Sequence, residues 1–458
     1  MKYIYSILIW LIGISACKQT PTISTDKSTT HLAKSLDSIV KPFIDSVRAA
    51  GIAVAVYHGT NPVLLKSYGY ADLEFKTPLP VDASFEIGSV TKQFTAAAIL
   101  QLVDSGKISL EDDLTNYIPF NTQGHTVTIR HLLSHTSGIQ GYTEMPNFGS
   151  LSIQKYPRDT LLRIVEKEKF DFKPGEALIY NNTGFFMLGL IIEKVTGISY
   201  ESYIQHNLFG KAGMSHSYYC NERKVITNRA HGYDTEQEGL VRAAYLDHTW
   251  PYAAGSLCST TEDLVKWNNA LHHGRILSEK MYSEFLNPTI LSDGSATHYA
   301  KGITVTEDHS KTMIEHGGGI NGFLSENRYY PKEDLSIVVL VNSTGPVSPT
   351  SIANQIADDL WGKPISDTTN FNGDLSAYTG KYTGRGRGQD ISITITTQSD
   401  SLMAMQGEPG QNQPFQLQFK NEDTWKEGNA SYHFKRDGGE IVGLQLDQVY
   451  GYYVLKKN

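Results

Sequence analysis

The spacing of hydrophobic positions changes along the chain, and the changes mark out its elements. Over 31–50, Leu32, Leu36, Ile39, Val40, Phe43, Ile44 and Val47 recur at helical intervals, and Gly51 is placed to end that helix. The run 52–57 is apolar without a break, as in a buried strand, and 62–70 reads as a second strand across the turn His58-Gly59-Thr60-Asn61. A turn at Gly88 then opens into Ser89-Val90-Thr91-Lys92-Gln93-Phe94-Thr95-Ala96-Ala97-Ala98-Ile99-Leu100, an alanine-rich helix too apolar to lie on a surface.

From 104 to about 255 the pattern is helical and loop-rich. It predicts a short helix over 128–134 and a strongly apolar one over 183–195, stopped by Gly197. Ser259-Thr260-Thr261-Glu262 is a capping box for a helix reaching Asn269. Strands return at 299–306, 311–316, 323–330 and 336–342, and a helix over 351–360 follows. The order predicts an α/β (α+β) fold: one antiparallel sheet flanked by helices, plus an all-helical lobe, within 34–362. After Trp361 the composition shifts. Residues 391–396 alternate strictly, and 416–419, 432–434, 442–446 and 452–455 read as further short strands. That spacing predicts a small antiparallel barrel or sandwich over 372–458. Gly384-Arg385-Gly386-Arg387-Gly388 opens no helix after a strand, so it reads as a glycine-rich turn and not a dinucleotide loop.

With 458 residues the chain has room for two or three domains, and 40% hydrophobic against 19% charged residues supports a sizeable core. A formal net charge of −8 argues against nucleic acid or acidic membrane surfaces as partners. The N-terminus reads as a signal segment over 1–17: Lys2, a mostly apolar stretch over 5–14, then Ile14-Ser15-Ala16-Cys17. A small residue before a cysteine here resembles the lipobox of bacterial lipoproteins, which makes Cys17 the expected lipidation site. Residues 18–33 then act as a tether, and the membrane contact is a lipid anchor in the bacterial cell envelope. Cys220 and Cys258 remain, either paired or as two buried thiols. No His/Cys cluster has zinc spacing, so neither metal nor cofactor is expected.

The chemistry starts at Ser89. It lies in the first turn of its helix, where free N–H groups and the dipole favour developing negative charge. Lys92 follows three residues on, projecting from the same face. Burial lowers a lysine pKa from about 10.4 and makes the neutral base accessible, which activates a neighbouring serine. A second element, Tyr180-Asn181-Asn182, precedes the apolar 183–195 helix; Tyr180 is placed to relay a proton and Asn182 to hold a substrate carbonyl. A third, His316-Gly317-Gly318-Gly319, ends a strand with glycines that let a ligand approach the backbone. The N–H groups of Ser89 and Gly319 are candidates for an oxyanion hole.

In this order the three elements resemble the serine β-lactamase and penicillin-recognising hydrolase superfamily, whose pattern is Ser-x-x-Lys, then Ser-Asp-Asn, then Lys-Thr-Gly. The tyrosine in the second element is similar to the class C branch with its esterases and D-amino-acid peptidases. His131-Leu132-Leu133-Ser134-His135-Thr136-Ser137-Gly138 and Phe172-Lys173-Pro174-Gly175-Glu176 also resemble that branch, with His131 and His135 read as structural. Tyr378-Thr379-Gly380-Lys381-Tyr382 resembles the opening of its appended lipocalin-like β-domain. The resemblance implies a Ser89 acyl-enzyme, with Lys92 and Tyr180 moving the proton and His316, Gly317 and Gly318 lining the substrate. The Lys-Thr-Gly cation and hydroxyl are absent here, which favours esters or D-amino-acid peptides and amides over β-lactams. A D-Ala-D-Ala carboxypeptidase or β-lactamase is the alternative, and a non-catalytic surface protein binding through its β-domain is the reading from another class. The sequence leaves the oligomeric state open.

Overall fold

The computed structural model describes residues 27–364, 371–407 and 412–458, so Cys17, the signal segment and most of the tether lie outside the described residues. Helix α1 (Lys27–Asp45) leads into β1 (Gly51–His58) and β2 (Asn61–Asp72), followed by a short β3 (Thr77–Pro78). The helix expected to reach Ala50 stops at Asp45, where the Ser46 and Arg48 amides turn back onto the carbonyls of Pro42 and Phe43 and Val47 takes a positive φ of 54°. Then come α2 (Thr91–Asp104), the two-residue strand β4 (Leu178–Ile179), α3 (Asn182–Thr196) and α4 (Thr261–His272). The last part of the sheet is β5 (Thr304–Asp308), β6 (Lys311–Ile320), β7 (Phe323–Tyr330) and β8 (Leu335–Val341), and α5 (Pro349–Trp361) follows.

These strands form a seven-stranded antiparallel sheet in the order β5-β6-β7-β8-β1-β2-β3. The first and last strands of the unit meet at its centre, with Ile52 opposite Val341 and His58 opposite Leu335. Period-two alternation divides their side chains between two cores. Val54, Val56, Val339 and Val341 pack against Leu36, Val40, Ile352 and Ile356 of α1 and α5. Ala53, Ala55, Val338 and Leu340 face α2 and the helical lobe. Helix α2 is buried nearly all round, which fits its alanine-rich sequence. The expected strand over 299–306 begins only at Thr304, because the chain reverses at Gly302 (φ +72°) and Tyr299 bridges Thr304.

The C-terminal part is a closed barrel of eight strands: β9 (Gly380–Gly386), β10 (Gln389–Gln398), β11 (Ser401–Gln406), β12 (Phe415–Asn421), β13 (Thr424–Glu427), β14 (Ala430–Asp437), β15 (Glu440–Gln448) and β16 (Gly451–Lys457). Pairing of Tyr382 with Lys457 and Thr383 with Lys456 closes it. Tyr382, Ile393, Ile395, Tyr432, Phe434 and Leu455 fill the interior. Strands β9, β11 and β13 carried no sequence signal because they are glycine-rich or short and half-polar.

The barrel is sewn to the larger N-terminal unit by backbone. Strand β4 pairs with β16, Ile179 opposite Gly451 and Leu178 opposite Tyr452. The Gly-Arg-rich turn between β9 and β10 adds a second attachment: the Gly388 N–H donates to both oxygens of Asp171 at 3.0 and 3.2 Å, and Arg385 lies 3.4 Å from it. A Cβ at Gly388 would stand 2.5 Å from the Gln140 amide, and its φ is +73°, so the close seat requires glycine there. Asp171→Ala would leave that N–H unpaired at a buried contact. The expected outcome is a loss of about 1–3 kcal/mol, measured as a lower midpoint in thermal unfolding; a wild-type midpoint would remove the turn as an attachment.

Candidate active site

Residues Gly88–Val90 form a single 3-10 turn that feeds directly into α2, so Ser89 is delivered at the helix entrance while its neighbours are buried. Lys92, in the first turn of α2, is fully buried. Its Nζ has three partners: Ser89 Oγ at 3.2 Å, Asn182 Oδ1 at 2.8 Å and the Ala254 carbonyl at 2.9 Å. Burial pushes its pKa well below the ordinary lysine value, and the Glu144 carboxylate pulls it back only in part. A neutral amine has two N–H groups and one lone pair. Asn182 Oδ1 and Ala254 O can only accept, so they take both N–H groups. The lone pair is left facing Ser89, whose O–H donates to it. This is the geometry of a base beside its nucleophile.

The second element sits where β4 passes into α3. The Asn181 side chain caps α3 by accepting the Gly184 N–H at 3.0 Å, and that cap fixes Asn182 at the first helical position. Asn182 Nδ2 donates to Thr143 Oγ1 at 3.2 Å, which orients its carbonyl to Lys92. Helix α3 reaches Ala254 because Gly189 has no side chain: a Cβ there would meet Ala253 and Tyr252 at 2.5 Å. The Tyr180 ring centroid lies 4.6 Å from Lys92 Nζ. Its hydroxyl is buried without a hydrogen-bond partner. Burial pushes the phenol up, while the facing Ser89 hydroxyl and the Arg387 charge pull it down.

The third element differs from its expected shape. The glycines do not end the strand; β6 runs through them, with Gly317 opposite Glu326, Gly318 opposite Ser325 and Gly319 opposite Leu324. Strand β5 covers β6 only as far as Glu315, so the glycine stretch is an open edge. It lies against the nucleophile turn: a Cβ at Gly318 would come 2.2 Å from the Ile87 carbonyl and 2.3 Å from Ser325 Oγ. A Cβ at Gly88, whose φ is +49°, would lie 2.9 Å from Gly319 N. The Ser89 and Gly319 amides are thereby neighbours across the turn. Gly317 and Gly319 expose their N–H groups on the same open edge, two residues apart. The first is taken, donating to Tyr450 Oη at 2.8 Å, and Gly319 is left lining the cleft.

His316 does not present a free nitrogen to the cleft. Its ring is 1% exposed and held in a buried chain. The Asn181 N–H donates to His135 Nδ1 at 3.1 Å, so His135 carries its proton on Nε2 and donates to Tyr299 Oη at 2.9 Å. Tyr299 donates on to His316 Nε2 at 3.1 Å, and His316 Nδ1–H faces the Gly317 carbonyl at 2.5 Å. Burial, with the Lys92 field behind it, pushes His316 down to about 3. Here the expected substrate contact is a neutral brace behind the strand. The sequence gave no sign of this chain, of Thr143, Ala254 and Glu144, or of Tyr450 arriving from the barrel; each depends on tertiary contacts between distant segments.

The cleft beside Ser89 is a cavity of about 130 Å³ with an aromatic and apolar wall that includes Tyr142, Phe148, Leu246, Pro251 and Ile320. Away from it, two groupings among the described residues have metal-ligand types in reach of one another, Asp72 with Glu74 and His231, and Glu86 with Glu222 and His248. In the second, Arg229 pairs with Glu222 and lies 3.6 Å from Glu86. The same carboxylates outweigh burial and hold His248 up at about 9, so cations of the protein already balance them. A disulfide joins Cys220 to Cys258 beside Glu86, on the strand that pairs with Phe85–Glu86.

Set beside known proteins, residues 36–360 match the Beta-lactamase family. Protein flp of Staphylococcus aureus is 28% identical over 324 residues, 69% of this chain, and the chain spans 64% of flp. Penicillin-binding protein 4* of Bacillus subtilis is 29% identical over 361 residues, covering 73% of this chain and 79% of its own. The fold is shared along 93% of this chain with the octameric penicillin-binding protein homologue from Pyrococcus abyssi, at TM-score 0.64, 24% identity and its whole length. It is shared along 73% with the D-amino acid amidase from Ochrobactrum anthropi in complex with D-phenylalanine, at TM-score 0.65, 23% identity and 99% of that chain.

Two outcomes follow from this geometry. Gly318→Ala forces β6 away from the Ile87 carbonyl, and is expected to lower kcat/KM on any acyl substrate by about 100-fold, as loss of an oxyanion donor does; wild-type kinetics would refute the contact. His316, near 3 when folded, titrates near 6.5 when unfolded, so the unfolded chain binds the extra proton between those values. Its share of stability is whole above about 6.5 and is lost as pH falls toward about 3. Thermal midpoints from pH 7 to 4 are expected to fall less steeply in His316→Asn than in wild type.

Proposed function

Since the chain belongs to the Beta-lactamase family and is a serine hydrolase, we propose that it hydrolyses amides, peptides or esters through an acyl-enzyme on Ser89, with D-amino-acid compounds as its substrate class. One observation carries the reading: the buried Lys92 amine whose remaining lone pair faces the Ser89 hydroxyl at 3.2 Å. In acylation Ser89 Oγ bonds to the substrate carbonyl carbon while its proton passes to Lys92 Nζ. The carbonyl oxygen gathers charge against the Ser89 and Gly319 N–H groups. Tyr180, between Lys92 and the barrel side of the cleft, returns the proton to the leaving nitrogen or oxygen as the bond to carbon breaks. Water then adds to the acyl carbon, losing its proton to the same base, and as the Ser89 ester bond breaks that proton passes back to Ser89 Oγ. The free Nδ2–H of Asn182 is available to the substrate carbonyl or amide.

The D-amino-acid preference draws on the amidase and penicillin-binding protein homologues sharing the fold. Poor β-lactam turnover follows from the neutral, buried His316 where the family pattern has a lysine. A D-Ala-D-Ala carboxypeptidase is the second reading, favoured by the likeness to penicillin-binding protein 4*. Export and lipid anchoring through Cys17 are part of the proposal; the Cys220–Cys258 disulfide supports an oxidising compartment.

The test compares wild type, Ser89→Ala and Lys92→Arg on p-nitrophenyl butyrate, a D-amino-acid amide and a D-Ala-D-Ala peptide. Ser89→Ala is expected to lose all acyl turnover. Lys92→Arg keeps its charge at every working pH and is expected to lose at least about 100-fold in kcat. In wild type, kcat/KM should rise with pH as Lys92 sheds its proton, reaching a plateau below the ordinary lysine value. Turnover of nitrocefin comparable to that of the ester, or activity persisting in Ser89→Ala, would overturn the reading.

A further inference from the structure

The barrel does more than sit beside the hydrolase unit: one of its turns packs on the second and third elements, and another reaches Asp171 and Glu144. Tyr450, in the turn between β15 and β16, is inserted behind the third element. Its hydroxyl accepts the Gly317 N–H at 2.8 Å, and its ring stacks on His316 with centroids 5.0 Å apart and planes at 28°. Its ring also lies 5.6 Å from Tyr180, and its carbonyl accepts the Tyr180 N–H at 3.3 Å. The segment that carries Tyr180 is therefore held by the barrel. The second turn is Gly386-Arg387-Gly388, fixed by Asp171. Arg387 takes a positive φ of 54° at its tip, so its direction is set by a strained, pinned backbone.

Arg387 is held at Nε by Tyr453 and makes a long ion pair with Glu144. Its Nε donates to Tyr453 Oη at 3.1 Å, and the nearest carboxylate, Glu144, lies 3.9 Å from Nη1. The rest of the guanidinium is open, with the side chain 48% exposed. Its charge nonetheless reaches the catalytic residues: it is among the groups pulling the Tyr180 phenol down. Arg387 and Tyr450 share the lining of a cavity of about 340 Å³, together with Asn429, Gln448, Val449 and Glu427. Tyr450 lines this second cavity, and its ring lies 5.6 Å from that of Tyr180.

The family pattern places a lysine where His316 now stands, and the 315–320 stretch of that strand carries no cation. We propose that the barrel supplies one instead: the Arg387–Tyr450 cavity is the leaving-group subsite, and Arg387 selects leaving groups that carry a carboxylate. The proposal rests on the serine-hydrolase reading above and gives it a substrate class, acyl donors whose departing part ends in a free acid, such as a peptide releasing an amino acid. A planar guanidinium whose terminal nitrogens carry four N–H groups outside the Tyr453 bond suits a carboxylate, and the Asn429 and Gln448 amides suit the peptide bond beside it.

The test uses two esters of identical acyl group, 4-acetoxybenzoate and 4-acetoxybenzamide, which differ only in the charge of the leaving group. The expected result is a kcat/KM ratio, acid over amide, that falls about tenfold in Arg387→Ala through KM of the acid, is partly kept in Arg387→Lys and drops further in Arg387→Glu. The acid's advantage should also fade as salt is raised. Ratios equal across wild type and all three variants would overturn the proposal, as would a loss confined to kcat. Thermal midpoints identify any variant that fails to fold, in which case the Lys and Glu ratios decide. D-Ala-D-Ala peptide turnover by wild type is measured in parallel. Its absence with the Arg387 effect present would reject the D-peptide reading and keep the subsite; its presence with no Arg387 effect would do the reverse.

Discussion

Keeping one amine dry is the constraint on which this site depends. Burying a charged ammonium costs several kcal/mol unless an anion repays it, and every hydrogen-bond partner of Lys92 Nζ is a neutral oxygen. The inexpensive solution is to release the proton, and the surroundings are arranged so that release also creates a directed lone pair. Two obligatory acceptors, from Asn182 and Ala254, come from segments far apart in sequence. Each is brought in by a local device: the Asn181 cap that starts α3, and Gly189, which lets that helix press on the 252–255 turn. The apolar character of α2 follows from the same need, since a helix with a wet face would readmit water to the amine.

The second constraint is steric. An oxyanion site made of two backbone amides needs a helix entrance and a strand edge closer than side chains allow. Gly88 and Gly318 meet that need from opposite sides, each with a phantom Cβ inside 3.0 Å of the other's backbone neighbourhood. The strand must also be stiff. The buried chain from Asn181 through His135 and Tyr299 to His316 runs in one donor direction and ties the second element to the third behind the cleft. Its neutral histidines suit that bracing, because a proton on either one would face the Lys92 pocket.

Much of this was legible before any coordinates. Ser89 and Lys92 stood out because a turn glycine followed by an all-apolar helix is a rare context for a lysine, and Tyr180 and Asn182 because they preceded a second such helix. The central strands β1 and β8 were visible as runs of valine, isoleucine and alanine, where burial on both faces leaves no polar alternation. What failed did so for physical reasons. The glycines 317–319 read as a strand end, since glycine weakens strand propensity, yet pairing with β7 carried β6 through them. His316 read as a substrate contact, because its burial depends on Tyr299 and Tyr450, which are distant in sequence. Three of the barrel's eight strands were silent, because strands such as β9 owe their place to closure of the barrel and not to their own composition.

The placement of the barrel bears on what kind of molecule this is. A surface-binding module appended to an enzyme would be joined by a linker and would leave the catalytic wall complete without it. Here β4, the strand immediately before Tyr180, finds its only strand partner among the described residues in β16 of the barrel, and the Tyr180 amide is satisfied by Tyr450. Removing the barrel would expose the edge of β4, free the Gly317 N–H and unstack His316 together. The position of Tyr180 is therefore a property of both domains. That argues against reading the β-domain as a separate binding protein, because the turn at Tyr450 braces the segments that carry Tyr180 and Gly317.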